Sequence, residues 1–201
     1  MTPRDAALEA LLQMERRGAW SDGSLKRITA QAGLDGRDTA LCTHLTYGVV
    51  QNRTLLDFYI DGWCSQRAAR LETVVACALR LGIYQILFMD KVPDRAAVHE
   101  TVELVKRHGK SRAAGMVNAV LRKCAASKNA LPPLPHKGAA ERLTVQYSHP
   151  KWLVERLIAL VGEQEAEEFL RLDNEPVPTV IQTNTLKTTP DALAEELRAS
   201  G

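Results

Sequence analysis

Long apolar runs are missing from this 201-residue chain. The longest uninterrupted one is Val74-Val75-Ala76-Cys77-Ala78-Leu79, whereas a helix needs roughly 20 such residues to cross a bilayer. No membrane span is expected. Nor is a secretion signal, because Met1-Thr2-Pro3-Arg4-Asp5 leads straight into an amphipathic pattern with no apolar core. Cysteine is scarce. Cys42, Cys64, Cys77 and Cys124 lie far apart with no C-x-x-C pair, so neither a zinc site nor a disulfide framework is indicated, and a reducing, cytoplasmic setting fits. The histidines do not cluster either, and no H-x-x-x-H or E-x-x-H spacing occurs. No metal is expected.

What is present reads as a globular protein: 45% apolar and 25% charged residues exclude a disordered tail and a collagen-like repeat. The net charge of +2 hides an asymmetry. Residues 1–127 carry 18 Lys and Arg against 13 Asp and Glu, a net +5; residues 128–201 carry 8 against 11, a net −3. A basic front half permits a polyanionic partner without demanding one. The halves meet at Leu131-Pro132-Pro133-Leu134-Pro135, a stretch that cannot continue a helix. We therefore expect a helical domain over 1–127, a proline-containing linker over 128–140 and a second subdomain over 141–201.

Before the linker nearly everything has helical periodicity. Thr2 caps a first helix with Pro3 in its first turn, and Gly18 ends it. Further helices are expected near 24–32, over 37–50 and over 53–62. Residues 70–89 are apolar almost all round, which marks a central, buried helix. Gly82 costs that helix about 1 kcal/mol of propensity, so a close helix crossing is its expected use. Pro93 opens a helix to about His108, closed by Gly109, and Ser111 caps another over 112–125. The first domain is thus an all-α bundle. Beyond the linker, helices are expected at 141–146, 150–161 and 164–172. Thr179–Leu186 is β-branched, alternating and bounded by Pro178, so it reads as a strand. Pro190 starts a last helix. The second part is a small α/β subdomain, mostly helical. A lone strand cannot satisfy its own backbone groups, so the chain reads as truncated, with the missing part beginning on a strand.

Gly109-Lys110-Ser111 is not a phosphate loop, since position 104 is Leu and the preceding element is a helix. Within Arg107-His108-Gly109-Lys110-Ser111-Arg112, however, Lys110 and Arg112 sit at a helix start, where the macrodipole disfavours cations. Free backbone N–H groups there suit an anion such as an RNA phosphate; the alternative is a solvated loop. Arg4 lies at a similarly disfavoured end, whereas Arg16, Arg17, Arg122 and Lys123 sit where the dipole favours them. Asn118 is expected to tie down a loop backbone, Glu100 to pair with an arginine or lie exposed, and His149 to shape the turn into Pro150. The cysteines read as core residues, not nucleophiles.

Three segments together carry a resemblance. Leu79-Arg80-Leu81-Gly82-Ile83-Tyr84-Gln85-Ile86-Leu87-Phe88, Ala96-Ala97-Val98-His99-Glu100-Thr101-Val102-Glu103-Leu104 and Gly115-Met116-Val117-Asn118-Ala119-Val120-Leu121-Arg122 resemble the NusB-like helical domain. Tyr147-Ser148-His149-Pro150-Lys151-Trp152, then Asn174-Glu175-Pro176 and Asn184-Thr185-Leu186-Lys187, are similar to the start of the methyltransferase RNA-binding subdomain in the RsmB/Sun/Fmu-type ribosomal RNA cytosine-5 methyltransferases.

The resemblance implies a NusB-like RNA-binding domain joined to that subdomain, with small-subunit ribosomal RNA as partner. Arg4, Arg107, Lys110, Arg112, Asn184 and Lys187 are the expected RNA contacts. The family's nucleophile is a cysteine in a Pro-Cys or Thr-Cys-Ser context, and its methyl donor is S-adenosylmethionine. None of the four cysteines has that context, and no glycine-rich loop follows a strand. Nucleophile and cofactor site are therefore expected only in a full-length parent, and the 201 residues alone are expected to be inactive. Where the family carries Arg-Val-Asn this chain reads Gln182-Thr183-Asn184, which removes a charge-assisted phosphate fork. Two alternatives stand beside this reading: a stand-alone NusB-like antitermination factor contacting RNA and a ribosomal protein, and a bundle that binds only proteins.

Overall fold

The structure, a computed structural model, describes residues 1–17, 22–135, 137–175 and 180–200. The expected helix stop at Gly18, His136, the start of the expected strand with Pro178 and Thr179, and the side chain of Arg17 lie outside the described residues.

Helices α1 (Pro3–Arg17), α2 (Asp22–Gln31), α3 (Gly36–Gln51), α4 (Arg53–Trp63), α5 (Thr73–Phe88), α6 (Asp94–Arg107) and α7 (Ala114–Ala126) build the front of the molecule. The apolar-all-round pattern of α5 has the expected result: every residue from Val75 to Ile86 is buried. Helices α1, α3, α4, α6 and α7 pack around it. Two glycines permit the closest crossings. A Cβ at Gly82 would lie 2.7 Å from Leu121 Cδ2 of α7, and one at Gly48 would lie 2.0 Å from Tyr84 Cζ.

The caps are only partly as expected. At α1, the Thr2 hydroxyl accepts from the Asp5 N–H at 3.2 Å while the Thr2 N–H donates to Asp5 Oδ2 at 3.0 Å, a reciprocal capping box. At α7 the expectation fails. Ser111 makes no side-chain cap; Ser111–Ala113 form a 3-10 turn that leads into α7. The tighter turn satisfies the first N–H groups by i→i+3 bonds, such as Ala113 N–H to Lys110 at 2.9 Å.

Beyond α7 the described residues of 127–138 carry no helix. Helices α8 (Ala139–Tyr147), α9 (Lys151–Val161) and α10 (Glu163–Asp173) then pack on one another, and α8 also packs on α4. Their core is small: Leu143, Val154 and Leu170 are buried, with Tyr147, Leu157 and Ile158 against them. Trp152, Leu160 and Phe169 remain exposed, at 66%, 70% and 52%. Helix α11 (Pro190–Ser200) buries no side chain.

The strand expected over 179–186 is overturned by the structure. Among the described residues no strand forms; 180–184 have no regular structure, and the Lys187 and Thr188 N–H groups close a turn on the Asn184 carbonyl at 2.9 and 3.2 Å. β-branched alternation favours extended backbone, but a strand is defined by a ladder to a neighbour, and no described element offers one. No helix among the described residues is long and apolar enough to cross a membrane.

Candidate nucleic-acid interface

The basic loop is built by the end of α6. Gly109 adopts φ +73°, a left-handed conformation that suits glycine. The Gly109 N–H donates to the Lys106 carbonyl at 3.0 Å and the Lys110 N–H to the Val105 carbonyl at 3.0 Å. This Schellman closure reverses the chain and sets Lys110, Ser111 and Arg112 beside Glu72, which precedes α5; together they line a small cleft. Lys110 forms an ion pair with Glu72. Arg112 is exposed and has no ionic partner among the described residues.

Arg4 and Arg107 converge at the start of α1. Arg107 donates to Asp5 through Nε and Nη2 at 3.1 and 3.3 Å, and His108 Nε2 lies 3.4 Å from the same carboxylate. Arg4 Nε donates to Gln85 Oε1 at 2.7 Å. The dipole penalty expected for Arg4 is thus offset locally by the Asp5 carboxylate in the same turn. Burial pushes the Asp5 carboxyl up, yet hydrogen bonds from Thr2 and Arg107 hold it below its ordinary 3.8.

A carboxyl with a depressed folded-state pKa stabilises the fold above its unfolded pKa and loses that contribution as pH falls through the lower, folded value. Asp5→Asn is therefore expected to melt below the wild type at neutral pH. The gap should be complete above about pH 5 and close at pH values below the carboxylate range. Thermal melts across that window check it; a pH-independent gap would remove the ionic explanation.

Asn184 and Lys187 stand apart from these four residues. Asn184 Oδ1 accepts from the Leu186 N–H at 3.1 Å, so Asn184 builds its own turn, with Lys187 exposed beside it. No hydrogen bond or ion pair among the described residues joins this turn to the α1–α6 end.

An open groove of about 820 Å³ between α6 and α7 was not anticipated. Arg95, His99, Lys106, Asn118 and Arg122 line it, with Asp94 and Glu103. Asn118 faces this groove, with no hydrogen bond to a loop among the described residues, contrary to its expected role. Glu100 makes no ion pair among the described residues. The signal was present as i, i+4 pairs, Arg95 with His99 and Asn118 with Arg122, which face one way on each helix.

Three of the four cysteines lack nucleophilic character. Cys42, Cys77 and Cys124 are buried; burial raises the Cys42 thiol and pushes Cys77 and Cys124 up to about 11 and about 12. These three stay protonated at neutral pH. The described residues form no strand followed by a glycine-rich turn and helix.

Helices wrapped around a buried α5 define a bundle of NusB type. The structure of T. maritima NusB superposes with a TM-score of 0.57 at 27% identity, covering 62% of this chain and 88% of that one. The NusB family profile matches residues 1–126, and the chain belongs to the NusB family. Residues 149–201 match the RsmF/B-like methyltransferase ferredoxin-like domain. The chain is 33% identical over 199 residues to a probable ribosomal RNA small subunit methyltransferase B of Bacillus subtilis, covering 98% of this chain but 44% of that protein. It is also 33% identical over 125 residues to the transcription antitermination protein NusB of Bacillus velezensis, covering 60% of this chain and 90% of that protein. The chain thus spans under half the length of the methyltransferase it matches.

Proposed function

We propose that this chain is the RNA-binding N-terminal region of a small-subunit ribosomal RNA cytosine-5 methyltransferase, and that it positions RNA for chemistry carried elsewhere in the longer protein. One observation carries the reading: a NusB match over 1–126 continues, in the same chain, into an RsmF/B-like methyltransferase match over 149–201. The division into 1–127, a 128–140 connector and 141–201 belongs to this proposal, as does S-adenosylmethionine as methyl donor in the longer protein. The match to an antitermination protein NusB favours, for the front half, a second reading as a transcription factor contacting RNA and a ribosomal protein. Residues 149–201 have no use in that reading.

The RNA-contacting residues are Arg4, Arg107, Lys110 and Arg112 at the basic end, with Asn184 and Lys187 on the second turn. Arg112 is free to meet a phosphate, while Lys110 must leave Glu72. Lys110→Ala with Arg112→Ala is expected to leave the fold intact, because an exposed ion pair contributes about 0–1 kcal/mol. The slope of log K against log salt should fall by about 1.4 for single-stranded RNA, roughly 0.7 per lost phosphate contact. Filter binding of a small-subunit ribosomal RNA fragment between about 50 and 200 mM salt reads this; an unchanged slope returns both residues to solvated surface. Absence of RNA binding at the lowest salt would leave a protein-binding bundle.

A further inference from the structure

The first turn of α4 lacks a cap of its own. Asn52, at the N-cap position, makes no side-chain cap bond; its Nδ2 donates back to the Gly48 carbonyl at 2.9 Å instead. The acceptor for the Leu55 N–H comes from 93 residues away: Ser148 Oγ, at 3.1 Å. Ser148 can reach because it adopts φ +57° and ψ +26° between α8 and α9, and it is the one non-glycine at positive φ among the described residues. Serine is an ordinary N-cap residue, but it rarely takes that backbone conformation, so the turn is held against its local preference.

A second set of bonds closes beside it. Gln51 Nε2, at the end of α3, donates to the Asn174 carbonyl at 2.8 Å and to Asn174 Oδ1 at 3.2 Å. Asn174 Nδ2 in turn donates to the Tyr147 carbonyl at 2.9 Å, satisfying a free carbonyl at the end of α8. His149 is packed in the same turn, its ring 3.5 Å from Asp173. The α3–α4 corner of the bundle, the α8–α9 turn and the end of α10 therefore share one polar clasp, and α8 packs along α4 beneath it.

We infer that Ser148 and Asn174 are positioning residues that lock α8–α10 onto the bundle, so that α1–α10 move as one body and the proline-containing connector is not a swivel. Proline-rich connectors alone set only a spacing; the clasp fixes orientation. Anything held by the basic end of the bundle is then presented to the second half at one angle, without the ordering cost that two free bodies would meet on binding a shared ligand. Only that consequence rests on the RNA-binding reading; the clasp itself stands without a ligand.

The test uses the ligand-free 201-residue chain. Residual dipolar couplings of backbone amides in α1–α7 and in α8–α10 should fit a single alignment tensor. In Ser148→Gly with Asn174→Ala they should need two, while the chemical shifts within each core stay unchanged. Glycine keeps the positive-φ turn and deletes only the hydroxyl, so a failure of the turn is not the cause. The Leu55 amide should exchange about fivefold faster in Ser148→Gly, as for a lost N-cap. Two tensors in the wild type, or one retained in the double variant, would overturn the inference. Either result leaves the RNA-binding titration untouched, and that titration can fail with the clasp intact.

Discussion

Arg80→Ala is expected to lower stability by about 3 kcal/mol and the melting temperature by roughly 6–12 °C. Arg80 sits in the middle of α5 with its side chain 7% exposed. Its guanidinium grips Asp57 with two bonds, Nε to Oδ1 at 2.7 Å and Nη2 to Oδ2 at 3.0 Å, and reaches Glu15 with Nη1 at 2.9 Å. Removing one member of a buried ionic cluster leaves the others desolvated and unpaired, at about 3–5 kcal/mol. The lower figure applies here because Asp57 and Glu15 keep 29% and 24% of their side-chain surface. Arg53, half exposed beside Glu15 at 2.9 Å, is the contrast; Arg53→Ala should cost under about 1 kcal/mol. Replacing the cluster together, as Arg80→Met, Asp57→Leu and Glu15→Met, should recover most of the loss, since apolar groups of similar volume leave no charge stranded. Urea unfolding of the three proteins decides: a loss under about 1 kcal/mol for Arg80→Ala would mean that water reaches the cluster and screens it.

That cluster shows where the sequence stopped being legible. Residues 70–89 announced a buried helix because apolar side chains cover its whole circumference, and α5 is that helix. Arg80 interrupts the pattern, and its burial demands partners. Nothing local names them: Glu15 is 65 residues away and Asp57 is 23 away. Helix existence follows from periodicity, which is local, whereas helix pairing follows from three-dimensional packing. The same limit explains the segment after residue 179. Its alternation is a local preference for extended backbone, but a strand needs an edge to pair with, and none stands beside it among the described residues.

The candidate interface divides in the same way. Lys110 and Arg112 were visible because they follow the glycine that closes one helix and stand at the start of the next, where the dipole disfavours cations; the first helix does close at Gly109. The ion pair of Lys110 with Glu72 was not visible, because it depends on how the start of α5 meets the start of α7. Arg4 and Arg107 were singled out separately from their own surroundings; only the fold shows that Arg107 pairs with Asp5 while Arg4 donates to Gln85. Asn174 and Ser148 were each legible only as a member of a motif segment. Their shared role at the α3–α4 corner required coordinates, since the bonds span 123 and 93 residues.

Leu121→Ala should cost about 2–5 kcal/mol, with the loss halved or better when Gly82→Ala is added. Leu121 is fully buried on α7, and both of its methyl groups point at Gly82: a Cβ there would lie 2.7 and 2.8 Å from them, and 3.0 Å from Thr101 Oγ1. On its own, Gly82→Ala gains about 1 kcal/mol of helix propensity but forces overpacking at about 1–3 kcal/mol, because the methyl groups of the buried leucine stand under 3 Å from the new Cβ. Once Leu121 is shortened, the added methyl enters the vacated volume. The clash with Leu121 disappears, leaving only the tight approach to Thr101, part of the cavity is filled and the propensity gain remains. The two substitutions should therefore be non-additive by at least about 1 kcal/mol in the favourable direction. A double-mutant cycle measured by urea unfolding reads that coupling directly. Additivity within about 0.5 kcal/mol would mean that α5 and α7 slide apart to absorb the methyl group, and that the crossing tolerates a wider spacing than the glycine implies.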